Sequence, residues 1–203
     1  MSQTARRLRI AVADDERDMR QFYHELLPPL GHEVVAVTET GRQLVEQCRA
    51  VRPDLVIADV RMPDMDGLAA AGAVNEQTRV PVILVTAYQD AEVLSSAGAG
   101  HVMACLTKPV KPVDLQAAIS LAVQRFKQFR QVGEEAAGLR QALEDRKVIE
   151  RAKGVVTRRL LLDEEEAFRR LRRLASNGNR KLVEVAQRII AAEEIFKEMD
   201  KID

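Results

Sequence analysis

The chain has no tryptophan, only two cysteines and only three histidines among its 203 residues, and each scarcity closes a route. Cys48 and Cys105 lie far apart and belong to no CxxC or Cys/His cluster, which leaves no basis for a disulfide framework or a zinc site. Two small buried thiols are expected instead. His24, His32 and His101 are scattered without ligand spacing and are assigned no catalytic role. No run of about 18 apolar residues occurs, as a membrane-spanning helix requires, and the stretch MSQTARRLRI carries no signal-type hydrophobic segment. The expectation is a cytoplasmic protein without a membrane partner. Net charge is missing as well, because 31 basic residues cancel 31 acidic ones. The cancellation is not local. Between Arg146 and Lys181 stand twelve Lys/Arg against five Asp/Glu, a net of +7, so the carboxyl-terminal part carries a basic field of its own.

What is present begins with alternation. Through about residue 125, short β-branched runs alternate with longer segments of helical period, the pattern of βαβ units around a parallel sheet. The expected strands are 9–13, 33–37, 55–58, 82–85 and 103–106, each followed by a helix, which gives an α/β doubly wound, five-stranded parallel sheet. Such sheets gather their chemistry at the carboxyl ends of the strands. Asp14 and Asp15 follow the first strand, Asp59 the third, Thr86 the fourth, and Lys108 with Pro109 the fifth. Three carboxylates in one crevice repel one another unless a cation sits among them, and Mg²⁺ is the usual oxygen-seeking choice. Helix capping would explain Asp14 or Asp15 singly. It does not explain a Thr and a Lys at two other strand ends.

The pieces DD at 14–15, DVRMPDMDG at 59–67, TA at 86–87 and KP at 108–109, in this order and spacing, resemble a response-regulator receiver domain over residues 8–126, with a flavodoxin-like fold. The resemblance implies that Asp59 is the phosphoacceptor for a sensor histidine kinase. It further implies that Asp15 and Asp59, with the backbone carbonyl of Arg61, hold Mg²⁺ while Asp14 assists through water, and that Thr86 and Lys108 bind the phosphoryl oxygens. The residue types suit that chemistry, since a carboxylate can carry a phosphoryl group covalently and the transfer needs chiefly positioning and charge neutralisation. Pro63 and Gly67 are expected to shape the loop after Asp59. One position departs from the family: the usual aromatic residue three places before the lysine is Cys105. The Gly- and Ala-rich segment before it would form a fourth helix and its loop.

A heptad follows, with Leu115, Ala122, Phe129, Ala136 and Leu143 at one position and Ala118, Val132 and Leu139 at the other. Ile119 and Phe126 widen the part that packs on the sheet. Residues 127–145 read as a helical linker, and the 129–143 stretch as a coiled coil able to pair two copies. Three short helices are expected past Arg146. Their inner stripes are Val148, Ile149, Ala152, Val155 and Val156; then Ala167, Phe168, Leu171, Leu174 and Ala175 behind an Asp163/Glu166 capping box; then Leu182, Val185, Ala186, Ile189, Ala192 and Phe196. None is long enough to stand alone, so an all-α three-helix bundle over 146–198 is the economical fold. Glu165 with Arg169 and Glu166 with Arg170 fit i, i+4 pairing, but most basic residues lack a local acidic partner.

The segments RKVIERAKGVV, LLDEEEAFRRLRRLA and NRKLVEVAQRII resemble the ANTAR domain, the RNA-binding output module of transcription antitermination regulators. By that resemblance the basic residues meet the phosphates of structured RNA hairpins in nascent transcripts. The expected contacts are Lys147, Arg151, Lys153, Gly154 and Arg158 on the first helix, with Arg172, Arg173, Arg180 and Lys181. The module has no Tyr or Trp, and both its phenylalanines fall on inner stripes, so shape and phosphate contacts should outweigh base stacking. Two other readings stay open. SNGN at 176–179 could join two helices as a DNA-binding helix-turn-helix, although Lys181, Glu184 and Arg188 are a thin set for base edges. The tail could also serve only dimerisation and protein binding. An enzymatic use of Asp59 has no water-activating base in any motif.

Overall fold

The computed structural model describes residues 7–87 and 102–199. Its elements run β1 (Arg9–Ala13), α1 (Arg17–Leu26), β2 (Glu33–Thr38), α2 (Gly41–Val51), β3 (Leu55–Asp59), α3 (Gly67–Thr78), β4 (Val82–Thr86), β5 (Val102–Thr107), α4 (Pro112–Leu160), α5 (Glu164–Asn177) and α6 (Leu182–Met199). The expected fourth helix of the α/β part falls in residues 88–101, outside the described residues. Two compact units are resolved, 1–131 and 132–203, and the division falls inside α4.

In the first unit the five strands are parallel in the order β2-β1-β3-β4-β5, the flavodoxin-like arrangement. Strand alternation sorts the core into two layers. Ile10, Val12, Leu55, Ile57, Ile83 and Val85 face Tyr23 and Leu27 from the α1 side and Leu115, Ala118, Ile119 and Ala122 of α4. The residues between them, Ala11, Ala13, Val56, Ala58, Val82 and Leu84, face Leu44 and Cys48 of α2 and Ala70, Ala71 and Val74 of α3. The second layer is built of small residues, which lets α2 and α3 lie close to the strands. Cys48 is buried as expected, but Cys105 is exposed on β5, the last strand of the sheet, and the expectation of two buried thiols fails there.

The second unit is a small helical bundle. Val156 of α4, Ala167, Leu171 and Ala175 of α5 and Val185 of α6 form its core, with Leu162, Leu182 and Ile189 packed on it. Asp163 caps α5 by accepting the Glu166 N–H at 2.7 Å. The Glu166 side chain does not complete the box; it pairs with Arg169 at 3.0 Å and Arg170 at 3.1 Å. Three expectations are corrected here. The linker and the first basic helix are one continuous helix of 49 residues, which absorbs Gly133 and Gly138 although each costs about 1 kcal/mol relative to Ala. Leu174 is exposed because Ala167, Leu171 and Ala175 already fill the narrow inner stripe of α5. Phe196 is exposed because α6 continues beyond Ile189, the last of its residues packed on that core, and the Arg159 guanidinium lies 5.0 Å from its ring instead.

So small a core makes its one large, fully covered side chain decisive. Leu171→Ala should lower the local stability of the bundle by roughly 2–5 kcal/mol, and Asp163→Ala by about 1 kcal/mol. Amide hydrogen exchange along α5 reads both; equal protection in the two variants would contradict this ranking.

Candidate functional site

The order β2-β1-β3 places the reversal of strand order between β1 and β3, and the carboxylates sit at that reversal. Asp14 is fully buried directly after β1, and Asp59, 6% exposed, is the last residue of β3. One carboxylate oxygen each from Asp14, Asp15, Glu16 and Asp59 lies within 4.8 Å of the others. Lys108 is drawn into this group. Its Nζ stands 2.7 Å from Glu16 Oε1, 2.9 Å from Asp59 Oδ2 and 3.2 Å from Asp14 Oδ2. Burial works against the charge on Lys108, yet hydrogen bonds to Glu16 and Asp59 and the fields of Asp14 and Asp59 hold its pKa above the ordinary value. Thr86 is buried at the end of β4 with its hydroxyl donating to the Ala87 carbonyl at 2.9 Å, so it is turned to the backbone and not to Asp59.

Local geometry fixes these positions. Asp14 Oδ1 accepts the Glu16 N–H at 3.0 Å, which turns the chain out of β1 towards α1. The Arg20 guanidinium donates to the carbonyls of Asp14 and Asp15 at 2.9 and 2.8 Å and to Glu39 at 2.6 Å, tying the loop after β1 to the loop after β2. Beyond Asp59, a Cβ at Gly67 would collide with the Asp59 carbonyl, and Asp66 caps α3 through the Ala69 N–H at 2.7 Å. The left-handed residue of this loop is Asp64, with φ of 67°, next to Pro63. A cleft of about 520 Å³ opens beside the carboxylates, lined by Asp15, Val60, Arg61, Met62, Pro63, Asp66 and Leu68. Arg61 lines this cleft together with Asp15. Glu16 and Arg20 were missed in the sequence. Glu16 could have been found as a third consecutive acid; Arg20 carries no local signal.

The residues present fit a divalent cation. Asp14 Oδ2 is buried and has no well-formed hydrogen bond, only the Lys108 ammonium 3.2 Å away, so it is open to a cation. Burial is the main cause that lifts the Asp14 carboxyl to about 6; the Glu16 N–H and Lys108 pull it down, and the Asp59 charge adds to the rise.

The basic residues of the second unit divide into two groups. Lys147 pairs with Glu144 at 2.7 Å, Arg151 with Glu194 at 2.8 Å, Arg159 with Glu193 at 2.7 Å, and Lys153 with Glu150 at 2.6 Å and Glu164 at 3.0 Å. Most of the basic residues between Arg146 and Lys181 do lack a local acidic partner among the described residues, but Glu193 and Glu194 on α6 supply distant ones to Arg159 and Arg151 from outside the stretch whose charges were counted. Arg172 lies 5.9 Å from the ring of Phe168. A Cβ at Gly154 would meet only Arg158 Nη1, at 3.6 Å. Among the described residues the side chains of Arg173, Arg180, Lys181 and Arg188 have no such partner. The first three flank the turn between α5 and α6.

Residues 10–120 match the response regulator receiver domain family and residues 137–190 match the ANTAR domain family. The chain belongs to the response regulators, with a receiver domain followed by an ANTAR domain. PdtaR, a transcriptional regulatory protein of Mycobacterium tuberculosis, is 35% identical over 182 residues, which cover 90% of this chain and 89% of the relative. A response regulator receiver domain protein from Clostridium thermocellum is 28% identical with a TM-score of 0.54, covering 59% of this chain and 97% of that one. The response regulator PhyR from Brucella abortus is 26% identical with a TM-score of 0.55, over 65% of this chain and 54% of that one.

Because the folded pKa of Asp14 is raised, its ionised form costs stability in the metal-free protein, and that cost is complete above about pH 6. It fades as the pH falls from there into the ordinary carboxylate range. Asp14→Asn should therefore raise the melting temperature of the chelator-treated protein at neutral pH, with the gain shrinking as the medium is acidified through that range. Thermal scans across pH check this; a gain independent of pH would refute it.

Proposed function

We propose that this protein accepts a phosphoryl group on Asp59 from a sensor histidine kinase and uses its helical unit to bind RNA hairpins, controlling transcription termination. The observation that carries the first half is the buried Asp59 carboxylate held by Lys108 at 2.9 Å at the point where strand order reverses. Mg²⁺ would be held by Asp15, Asp59 and the Arg61 carbonyl, with Asp14 behind them. When bound, it neutralises phosphoryl oxygens. Lys108 supplies the second positive charge and Thr86 a hydroxyl, and the cleft beside Asp15 and Arg61 gives a donor its approach. Replacing Asp59 by Asn keeps the shape and removes the nucleophile. Wild type incubated with Mg²⁺ and acetyl phosphate should gain one acyl phosphate by intact mass, and Asp59→Asn none; labelling of the variant would overturn the assignment.

The second half rests on the unpartnered cations around the α5–α6 turn. Arg173, Arg180 and Lys181 are exposed and free to meet phosphates, with Arg158 and Arg172 beside helix faces that carry further positive charge. Lys147, Arg151 and Lys153 enter as contacts only by exchanging an acid for a phosphate. Two copies would pair through 129–143, where Phe129, Val132, Leu139 and Leu143 are all more than half exposed on α4. In a parallel pair with these at the heptad core, Glu135 faces Arg140 of the other copy. A parallel dimer offers two RNA-binding surfaces to tandem hairpins, with avidity and no new contact.

Arg180→Ala and Lys181→Ala should each weaken RNA binding and lower the slope of log affinity against log salt by about 1. Leu139→Asp should weaken binding to tandem hairpins while sparing a single hairpin. Filter binding over a salt series decides. Equal losses on both RNAs for Leu139→Asp would show that pairing does not set the spacing, and unchanged salt slopes would remove the two cations from the interface.

A further inference from the structure

Lys108 can serve a phosphoryl group only by giving up a partner it already holds. An ammonium has three protons to donate, and Nζ has three carboxylates within 3.2 Å, those of Glu16, Asp59 and Asp14. The three are not equivalent. The Asp14 side chain is fully buried and that of Asp59 is 8% exposed, so neither can move to water. Glu16 is 61% exposed at its side chain and makes the shortest of the three contacts. It alone can leave.

We infer that Glu16 is the resting counter-ion of Lys108, displaced when Asp59 is phosphorylated, and that this exchange sets how readily the site accepts a phosphoryl group. The inference rests on the reading of Asp59 as phosphoacceptor. In the transfer, one Asp59 oxygen forms a bond to phosphorus while the donor's bond to phosphorus breaks, P–N in a phosphohistidine and the bridging P–O in acetyl phosphate, and its electron pair departs with the leaving group, imidazole or acetate. The single negative charge of Asp59 is thereby replaced by the greater charge of an acyl phosphate. Lys108 is needed by the new oxygens, and Glu16, no longer neutralised, becomes a like charge beside them. Glu16 thus favours the unphosphorylated arrangement twice, by engaging Lys108 and by repelling the anionic donor. Thr86, whose hydroxyl rests on the Ala87 carbonyl, is also turned away from Asp59 in this arrangement. Glu16 is a positioning residue, since it acts through Lys108 and does not receive the phosphoryl group.

The test follows acyl phosphate by intact mass on the full chain with acetyl phosphate, at Mg²⁺ concentrations shown by titration to saturate each variant. Saturation removes any contribution of Glu16 to metal affinity. Glu16→Gln should be phosphorylated about three- to tenfold faster than wild type, the size expected from one like charge removed at a largely solvated position. Glu16→Asp keeps the charge but loses one methylene of reach, so it should fall between the two. A Glu16→Gln rate equal to or below wild type would overturn the inference while leaving Asp59 as the acceptor. Absence of acyl phosphate on every chain, wild type included, would overturn the phosphoacceptor reading itself.

Discussion

The mutual repulsion of carboxylates at the end of β1 and β3 is the constraint on which the first unit depends. Asp14, Asp15, Glu16 and Asp59 bring four negative charges within reach of one ion, and folding forces them together because the strands that carry them are neighbours in the sheet. One lysine from β5 side of the sheet, across β4, offsets part of that charge. The arrangement is therefore poised: metal-free, its repulsion is offset in part by Lys108; a bound cation would take over part of that role. A site built from unfavourable terms responds to a single added charge. A site built from satisfied pairs would not.

The scaffold around this tension is correspondingly stiff. Arg20 clamps two carbonyls of the acidic loop and a glutamate of the next loop, and Gly67 lets α3 start against the carbonyl of Asp59 itself. Neither contact adds to the charge chemistry directly. Both prevent the acidic residues from relaxing apart, which is what the repulsion would otherwise do.

Much of this was legible in the sequence because strands covered on both faces read as short, nearly continuous apolar runs. Such a run stops at polar residues, so Asp14, Asp59, Thr86 and Lys108 could be assigned to strand ends, and the parallel sheet brings strand ends together. Glu16 was not legible as a partner of Lys108, since its role arises from a contact across 92 residues of sequence. Arg20 was hidden for a different reason, its nearest partners being carbonyls, which every residue carries. The continuity of α4 escaped because Gly133 and Gly138 lower helix propensity locally, while a 49-residue helix is cooperative. Leu174 and Phe196 fit a helical stripe, but a bundle with an alanine-rich core is too narrow to cover a stripe of that width. Period tells which face turns inward. It does not tell how much of that face finds something to touch.

The same narrowness explains the charge pattern of the second unit. With alanines supplying much of the packing, the helices have few large side chains to fix their register, and pairs such as Arg151 with Glu194 and Arg159 with Glu193 add specific contacts between α4 and α6. Exposed ion pairs contribute little stability each, but their geometry is selective. Basic residues in this bundle therefore have two occupations that a count of charges cannot separate: some hold helices to one another, and some face solvent without a partner. An external polyanion competes with Glu193 and Glu194 for the first group and meets no competitor at Arg173, Arg180 and Lys181. Binding through the second group leaves the bundle's own pairs intact, and so costs the fold nothing; binding through the first must replace each contact that it breaks.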